Sequence, residues 1–194
     1  MAQVARLIAE RTTLLVVDVQ EKLFPAIYDA SALAINIEFL IDAAQLTGVP
    51  VQVTEQYPRG LGPTIAPLAA KLPAHRPDKK TFSCCGAAGL VESLDRERRP
   101  MVVLCGIESH VCVSQTAFDL LEMGFQVALP VDGVGARYPL DHTTAIDRLR
   151  CAGALITTVE AVGFEWLRTA DHPSFKTFSQ LVQERSRRLS DAKI

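Results

Sequence analysis

A cysteine at the start of a predicted helix is the first residue in this 194-residue chain whose position suggests chemistry. Cys112 comes after the apolar run 101–104, which Gly106 terminates, and just before the segment 115–123, whose apolar spacing is typical of a helix packed on a sheet. The partial positive charge of a helix N-terminus favours a thiolate, so this position predicts a lowered thiol pKa and a nucleophilic role for Cys112. The segment alone leaves a second interpretation open, in which Cys112 is a small buried hydrophobic residue.

A thiol nucleophile needs a base, and a carboxylate that closes another apolar run is the best candidate. Asp18 can accept the thiol proton if a nearby cation keeps the carboxylate ionised, and Lys79 and Lys80 are the available cations. His110 is a poor base for Cys112, because residues two apart on a helix point to nearly opposite sides. Taken singly, Asp18 is equally well explained as a local cap, and the two lysines as solvated side chains.

Alternating apolar runs and helical patterns predict a three-layer α/β/α fold with a mainly parallel, doubly wound sheet. Strands are predicted at residues 14–19, 49–54, 101–105, 125–131 and 155–159. Helices are predicted from a cap at Ser31 to about residue 47, at 90–96, from about 112 onward, at 140–151 and at 162–167. Ligands of such folds bind beyond the carboxyl ends of the strands. Neighbouring strands are therefore expected to bring the carboxylate of Asp18 and the thiol of Cys112 together there.

The composition favours one globular domain over residues 1–194. The net charge of −2 and the scattered basic residues argue against a nucleic-acid partner. The sequence shows neither an apolar stretch long enough to span a membrane nor the apolar centre of a secretory signal, so we expect no membrane partner and a cytoplasmic location. A C-terminal helix is predicted at about 173–188, and its apolar face should dock on the domain or on a neighbouring subunit. That face consists of Phe175, Phe178, Leu181 and Val182.

The five cysteines are an odd set in a chain that is too large to need disulfide bonds, so we expect reduced thiols. Cys84 and Cys85 are adjacent rather than spaced like metal ligands, and the four histidines lie far apart in the sequence. Neither a metal site nor a cofactor is predicted.

Three motifs in this order resemble the isochorismatase-like cysteine hydrolase superfamily. They are Leu-Val-Val-Asp-Val-Gln at 15–20, Lys-Lys-Thr-Phe-Ser at 79–83, and Cys-Gly-Ile-Glu-Ser-His-Val-Cys-Val at 105–113. The superfamily has an aspartate at the end of its first strand, a lysine four residues before a serine, and a cysteine six residues after a glycine. Ser83 fixes this register and so selects Lys79 over Lys80. The loop 54–64 is similar, further, to the isochorismatase domain-containing subgroup.

The resemblance implies a Cys-Asp-Lys triad that hydrolyses a small-molecule substrate through a thioester. Asp18 would accept and return the proton, Lys79 would keep Asp18 charged, and Cys112 would attack. The family also implies a cis peptide between Ile107 and Glu108, with the N–H groups of Glu108 and Cys112 forming the oxyanion hole. It further implies a homo-oligomer.

Departures from the superfamily narrow the substrate. Nicotinamidases carry an Asp and several His after the second strand, whereas this chain has Glu55-Gln56-Tyr57 there. True isochorismatases cleave a vinyl ether and need no thiol, so amide, imide or ureido C–N bonds fit better. The predicted substrate-binding residues are Gln20, Phe24, Tyr57, Leu61 and Ser83, although apolar packing also explains Phe24 and Leu61.

Two other function classes stay open at this point. One is a non-catalytic small-molecule-binding or scaffold protein that keeps the fold. The other is a thiol redox sensor that pairs Cys112 with Cys84 or Cys85, although no C-x-x-C pair supports it.

Overall fold

A parallel sheet forms the centre of the molecule, as a computed structural model that describes residues 6–192 shows. The strands of these residues are β1 (Thr12–Val17), β2 (Val51–Gln56), β3 (Asp78–Lys79), β4 (Met101–Ile107), β5 (Gln126–Pro130), β6 (Val134–Gly135) and β7 (Leu155–Thr157). Every strand pair is parallel, in the order β3-β2-β1-β4-β5-β7, and β6 pairs with the end of β4. The predicted doubly wound α/β fold is thus confirmed.

Helices cover both faces of this sheet. They are α1 (Ala30–Thr47), α2 (Pro58–Leu61), α3 (Ala66–Ala69), α4 (Leu90–Glu97), α5 (Ser114–Glu122), α6 (Pro139–Cys151), α7 (Val159–Leu167) and α8 (Phe175–Asp191). Successive side chains of a strand point to opposite faces. Leu14 and Val16 accordingly pack with α1, α7 and α8, whereas Leu15 and Val17 pack with α4, α5 and α6. The β1 strand is buried throughout, which is why its residues 14–17 form an unbroken apolar run in the sequence.

The element boundaries differ from the sequence prediction in several places. The predicted cap at Ser31 is wrong, because α1 begins at Ala30 and Asp29 occupies the N-cap position with φ 52°. The predicted strand 155–159 ends at Thr157, since the Thr158 hydroxyl accepts a hydrogen bond from the N–H of Ala161 and starts α7. The strands β3 and β6 were not predicted, because two residues are too few to show a period.

The C-terminal helix α8 packs on its own domain. Phe178 is fully buried, with its ring 5.9 Å from that of Phe39 and 4.9 Å from that of Phe164. Arg185 donates hydrogen bonds to Asn36 at 2.7 Å and to Glu160 at 2.8 Å, which ties α8 to α1 and α7. Of the two docking partners that the sequence allowed, the domain itself therefore covers Phe178 and part of Leu181 and Val182, whereas Phe175 of the same face is exposed.

None of the helices formed by residues 6–192 combines the length and the apolar character needed to cross a bilayer.

Candidate active site

The site begins where β1 and β4 run close together. Asp18 follows β1 directly, is fully buried and has φ 51°, so the chain turns sharply at the carboxyl end of the sheet. Gly106 lies beside the last residue of β1, Val17, and has φ 120°. A Cβ atom at Gly106 would collide with the backbone of Val17, so only glycine allows this approach.

The carboxylate of Asp18 forms a buried ion pair with Lys79. The Lys79 Nζ lies 2.6 Å from Asp18 Oδ2, and neither side chain is exposed to solvent. The hydroxyl of Thr54 donates to the other oxygen, Oδ1, at 2.9 Å. The ammonium also donates to Gln56 Oε1 at 2.7 Å and to the carbonyl of Phe82 at 2.9 Å. The hydrogen bonds satisfy both charged groups, as burial requires.

The short strand β3 explains how a residue so far away in sequence reaches Asp18. Lys79 pairs with Gln56 at the end of β2, which places Lys79 at the carboxyl edge of the sheet. The lysine that contacts Asp18 is therefore Lys79, which is the one that the motif register selects, whereas Lys80 is exposed.

Cys112 lies in a single π-helical turn, Ser109–Val113, between β4 and α5. The carbonyl of Glu108 accepts hydrogen bonds from the N–H of Val111 at 3.0 Å and of Val113 at 3.2 Å, and so closes this turn. The Thr116 hydroxyl donates to the carbonyl of Cys112 at 2.6 Å. Only 6% of Cys112 is exposed, so this residue is held in a nearly closed site.

The pKa of the Cys112 thiol moves opposite to the expectation from its place before a helix. Burial raises this pKa, and the negative charge and hydrogen-bonding capacity of Asp18 raise it further, while the charge of Lys79 lowers it. The predicted lowering of the pKa was wrong, because the helix end is outweighed by desolvation and by a neighbouring carboxylate. The resting thiol therefore holds its proton at neutral pH and needs a base to release it.

A second buried thiol, Cys84, lies beside this group. Its Sγ is 3.2 Å from the hydroxyl of Thr54, which also bonds Asp18, and its N–H donates to the Thr116 hydroxyl at 2.8 Å. Burial, followed by the charge of Asp18, raises the pKa of Cys84 to about 12.

Sequence reasoning missed Thr54, Gln56 and Thr116 as site residues. Thr54 and Gln56 lie at the carboxyl end of β2, and Asp18 was predicted from the equivalent position at the end of β1. Their uncharged side chains gave no comparable signal, because β2 contains several polar residues and does not form an apolar run that they would interrupt.

The peptide bond between Ile107 and Glu108 is cis, as the resemblance implied. The amides of Val111 and Val113 already bond the carbonyl of Glu108, so they are not free to receive a negative charge. Of the predicted donors, the N–H of Glu108 comes directly before this turn, and the N–H of Cys112 lies between the two bonded amides in the chain.

The five predicted substrate-binding residues lie in different environments. Gln20 is fully buried, and its side chain bonds the backbone of Gln56 and the carbonyl of Gly62. Ser83 is buried and its hydroxyl accepts from the N–H of Cys85 at 3.2 Å. The other three, Phe24, Tyr57 and Leu61, lie in loops or short helical turns that follow β1 and β2, and Tyr57 is 49% exposed. Contacts of all five residues with a substrate stay a prediction.

The described part of the chain brings no group of three or more His, Cys, Asp or Glu side chains into an arrangement that could hold a metal ion.

Comparisons with known proteins find a matching family model and similar sequences. A family model described as the isochorismatase domain matches residues 12–161. Isochorismatase domain-containing protein 2 of Danio rerio is 37% identical over 183 residues, which cover 94% of this chain and 92% of that protein.

Two solved structures show the same fold. The MAR1 ribonuclease of Caenorhabditis elegans superimposes with a TM-score of 0.87 at 39% identity, covering 92% of this chain and 93% of that one. YcaC of Escherichia coli, described as an octameric hydrolase of unknown specificity, has a TM-score of 0.87 at 23% identity and covers 100% of this chain and 98% of its own.

Proposed function

The chain belongs to the isochorismatase family, and we propose that it is a cysteine hydrolase that cleaves the C–N bond of a small amide, imide or ureide. The observation that carries this proposal is the buried ion pair of Asp18 and Lys79 beside the Cys112 thiol. A buried carboxylate with a fixed cation and a neighbouring protonated thiol is suited to general-base activation of a nucleophile.

In the first half of the proposed reaction, Cys112 Sγ attacks the substrate carbonyl carbon while Asp18 takes the thiol proton. The carbonyl π electrons move to oxygen, and the N–H groups of Glu108 and Cys112 bond the resulting oxyanion. Collapse of this intermediate breaks the C–N bond, and Asp18 returns the proton to the leaving nitrogen. An amine or ammonia departs and a thioester remains on Cys112.

In the second half, Asp18 removes a proton from water as the water oxygen attacks the thioester carbon. The S–C bond then breaks, the acid leaves, and Cys112 regains the proton from Asp18. Lys79 keeps the carboxylate in its ionised form between these transfers. The raised pKa of the thiol supports this scheme, because a thiol that is protonated at rest depends on a base during the attack.

Burial supports a small substrate. Asp18 and Lys79 are 0% and 3% exposed, and Cys112 is 6% exposed, so the triad lies below the surface. The ribonuclease activity in the name of the Caenorhabditis elegans protein would require a polyanion to reach this depth in a chain with a net charge of −2. We therefore favour small amides over RNA.

The proposal is tested by measuring ammonia or amine release from a panel of small amides, imides and ureides. Wild type should turn over at least one of them, and Cys112→Ala should lose at least about 1,000-fold of that rate. The matched control is Cys105→Ala, which removes another buried thiol four residues before the turn. Equal turnover by wild type and Cys112→Ala would contradict the proposal.

Three further outcomes separate the alternatives. RNA cleavage that survives Cys112→Ala would favour a ribonuclease with a different site. A Cys112 that neither turns over substrate nor reacts with a small electrophile would favour a binding or scaffold protein. A peroxide-induced disulfide between Cys112 and Cys84 would favour a redox sensor.

A homo-oligomer and a cytoplasmic location also stay proposals for this chain. The octameric state is known from the description of the Escherichia coli protein. Light scattering should give a mass of at least twice the 21.1 kDa of one chain, and a monomer would contradict the proposal.

A further inference from the structure

An ion pair beside the proposed oxyanion hole has no role in the scheme above. The Oε2 atom of Glu108 accepts the Nε–H of Arg137 at 3.0 Å and the backbone N–H of Arg137 at 3.2 Å. The Glu108 side chain is 10% exposed and that of Arg137 is 50% exposed, so the carboxylate faces inward and the guanidinium lies at the rim.

The sheet fixes this contact. Ile107 pairs with Gly135 of β6, so the residues that follow each strand emerge next to each other at the carboxyl edge. Arg137 donates hydrogen bonds to the Glu108 carboxylate from both its backbone and its side chain. It therefore holds this carboxylate in place and also balances its negative charge. The bond to Glu108 raises the pKa of Arg137, so the guanidinium stays charged.

Glu108 is also the residue whose backbone organises the site. Its carbonyl closes the turn that presents Cys112, and its N–H is one of the two proposed oxyanion donors. Its own carboxylate is a fixed negative charge only a few bonds from that N–H. Without compensation, this charge would oppose the negative charge that develops on the thiol sulfur and on the substrate oxygen.

We propose that Arg137 is a positioning residue that neutralises the Glu108 carboxylate, so that the turn can stabilise negative charge. Among residues 6–192, Arg137 is the basic side chain that forms an ion pair with Glu108. The proposal rests on the proposed function where it concerns the substrate oxygen, but its effect on the Cys112 thiolate holds without turnover. Arg137 itself need not touch the substrate.

The test compares Arg137→Met, Arg137→Lys, Glu108→Gln and the double variant Glu108→Gln/Arg137→Met. The readout that needs no substrate is the rate at which iodoacetamide alkylates Cys112 at a fixed pH near 8. Arg137→Met should slow this reaction about three- to tenfold, since an unpaired carboxylate disfavours the thiolate. Arg137→Lys keeps the charge and should stay within about twofold of wild type.

The double variant distinguishes charge compensation from a purely structural role of Arg137. If Arg137 acts by compensating charge, removing the carboxylate as well should bring alkylation back to within about twofold of wild type. If Arg137 only holds the fold together, the double variant should be as slow as Arg137→Met or slower, and this result would overturn the proposal. An unchanged rate in Arg137→Met would overturn it too.

Turnover gives the second readout. On an amide from the panel, Arg137→Met should lower kcat at least about tenfold with little change in KM, and the double variant should recover most of the loss. If wild type hydrolyses no amide, the proposed function fails, while the alkylation rates still decide the role of Arg137. Arg150→Met is the matched control, because Arg150 forms an exposed ion pair with Asp147 on α6 and should leave both readouts unchanged. Thermal melting of each variant confirms that it is folded.

Discussion

The two charged partners of Cys112 should change its reactivity in opposite directions when each is removed. Asp18 raises the pKa of the thiol and Lys79 lowers it. The isosteric variant Asp18→Asn should therefore make Cys112 more reactive toward a simple electrophile, although it removes the proposed base for turnover. Lys79→Met should make the thiol less reactive, because the carboxylate is left without its cation.

The size of the effect follows from the charges. Two unit charges about 5 Å apart, at an effective dielectric of about 20, interact by about 3 kcal/mol. This energy corresponds to about two units of pKa, or about a 100-fold change in the thiolate fraction at a fixed pH. In wild type the Lys79 ammonium lies 2.6 Å from the Asp18 carboxylate, so loss of this carboxylate also leaves the ammonium free to stabilise the thiolate. Turnover should meanwhile fall by about 100- to 10,000-fold with the loss of the general base.

The assay is alkylation by iodoacetamide, followed by mass spectrometry of the peptide that contains Cys112. A Cys151→Ala background removes the exposed thiol, which would otherwise consume reagent. Because the wild-type thiol is protonated at neutral pH, its alkylation rate should rise about tenfold per pH unit between pH 7 and 9 without a plateau. A plateau near pH 7 would show a depressed pKa and contradict the electrostatics.

Opposite changes in the alkylation rate of the two variants distinguish an electrostatic effect from a general loosening of the structure. Breaking a buried pair costs about 3–5 kcal/mol of stability, so either variant exposes Cys112 to some extent. Exposure alone would accelerate alkylation in both variants. An increase in Asp18→Asn together with an increase in Lys79→Met would therefore refute the assignment of charges. The double variant Asp18→Asn/Lys79→Met should fall between the two single variants.

Three other predictions concern the scaffold of the site. Burial raises the pKa of Cys105 above its ordinary value of 9.0, so above about pH 9 the unfolded state loses this proton first and stability falls by up to about 1.4 kcal/mol per pH unit. Urea denaturation between pH 8 and 11 should show a shallower decline in Cys105→Ala, and parallel declines would contradict this. Gly106→Ala should destabilise the protein by at least about 3 kcal/mol in the same assay, because the new methyl group collides with the backbone of Val17. A loss below about 1 kcal/mol would mean that β1 and β4 separate easily. Arg185→Ala should lower stability by about 2–4 kcal/mol, because it removes largely buried, charged hydrogen bonds. The control is Arg187→Ala, which breaks an exposed ion pair on the same helix and should change stability by less than about 1 kcal/mol. Equal losses in the two variants would argue against an anchoring role for Arg185.

The fold was predictable because its central strands are buried on both faces. The β1 and β4 strands have 0–2% exposure along their apolar residues, so each appears in the sequence as a run without alternation. Asp18 was predictable for the same reason, since a charge that follows such a run must find a partner. The α1 cap at Ser31 was not, because the left-handed conformation of Asp29 depends on the loop before it and leaves no mark on the helical period.

The short strands and the electrostatics were out of reach for a physical reason. Lys79 and Arg137 each reach the site through a strand of two residues, and such pairing is decided by the sheet that is already formed. The direction of the Cys112 pKa shift was also inaccessible. A helix end is visible in the sequence, but the depth of burial and the position of a carboxylate from another strand are tertiary properties.

A protonated resting thiol changes how the site must work. A cysteine with a depressed pKa reacts with any electrophile, whereas in the proposed mechanism Cys112 gains nucleophilicity only when Asp18 takes its proton. Asp18 already accepts bonds from Lys79 and Thr54, so it gives up little rotational freedom when that proton arrives. In the proposed mechanism, proton transfer becomes favourable when the carbonyl oxygen of the substrate binds at the turn and accepts the negative charge. Activation would thus be coupled to a bound carbonyl, and indiscriminate alkylation of the buried thiol would be slow.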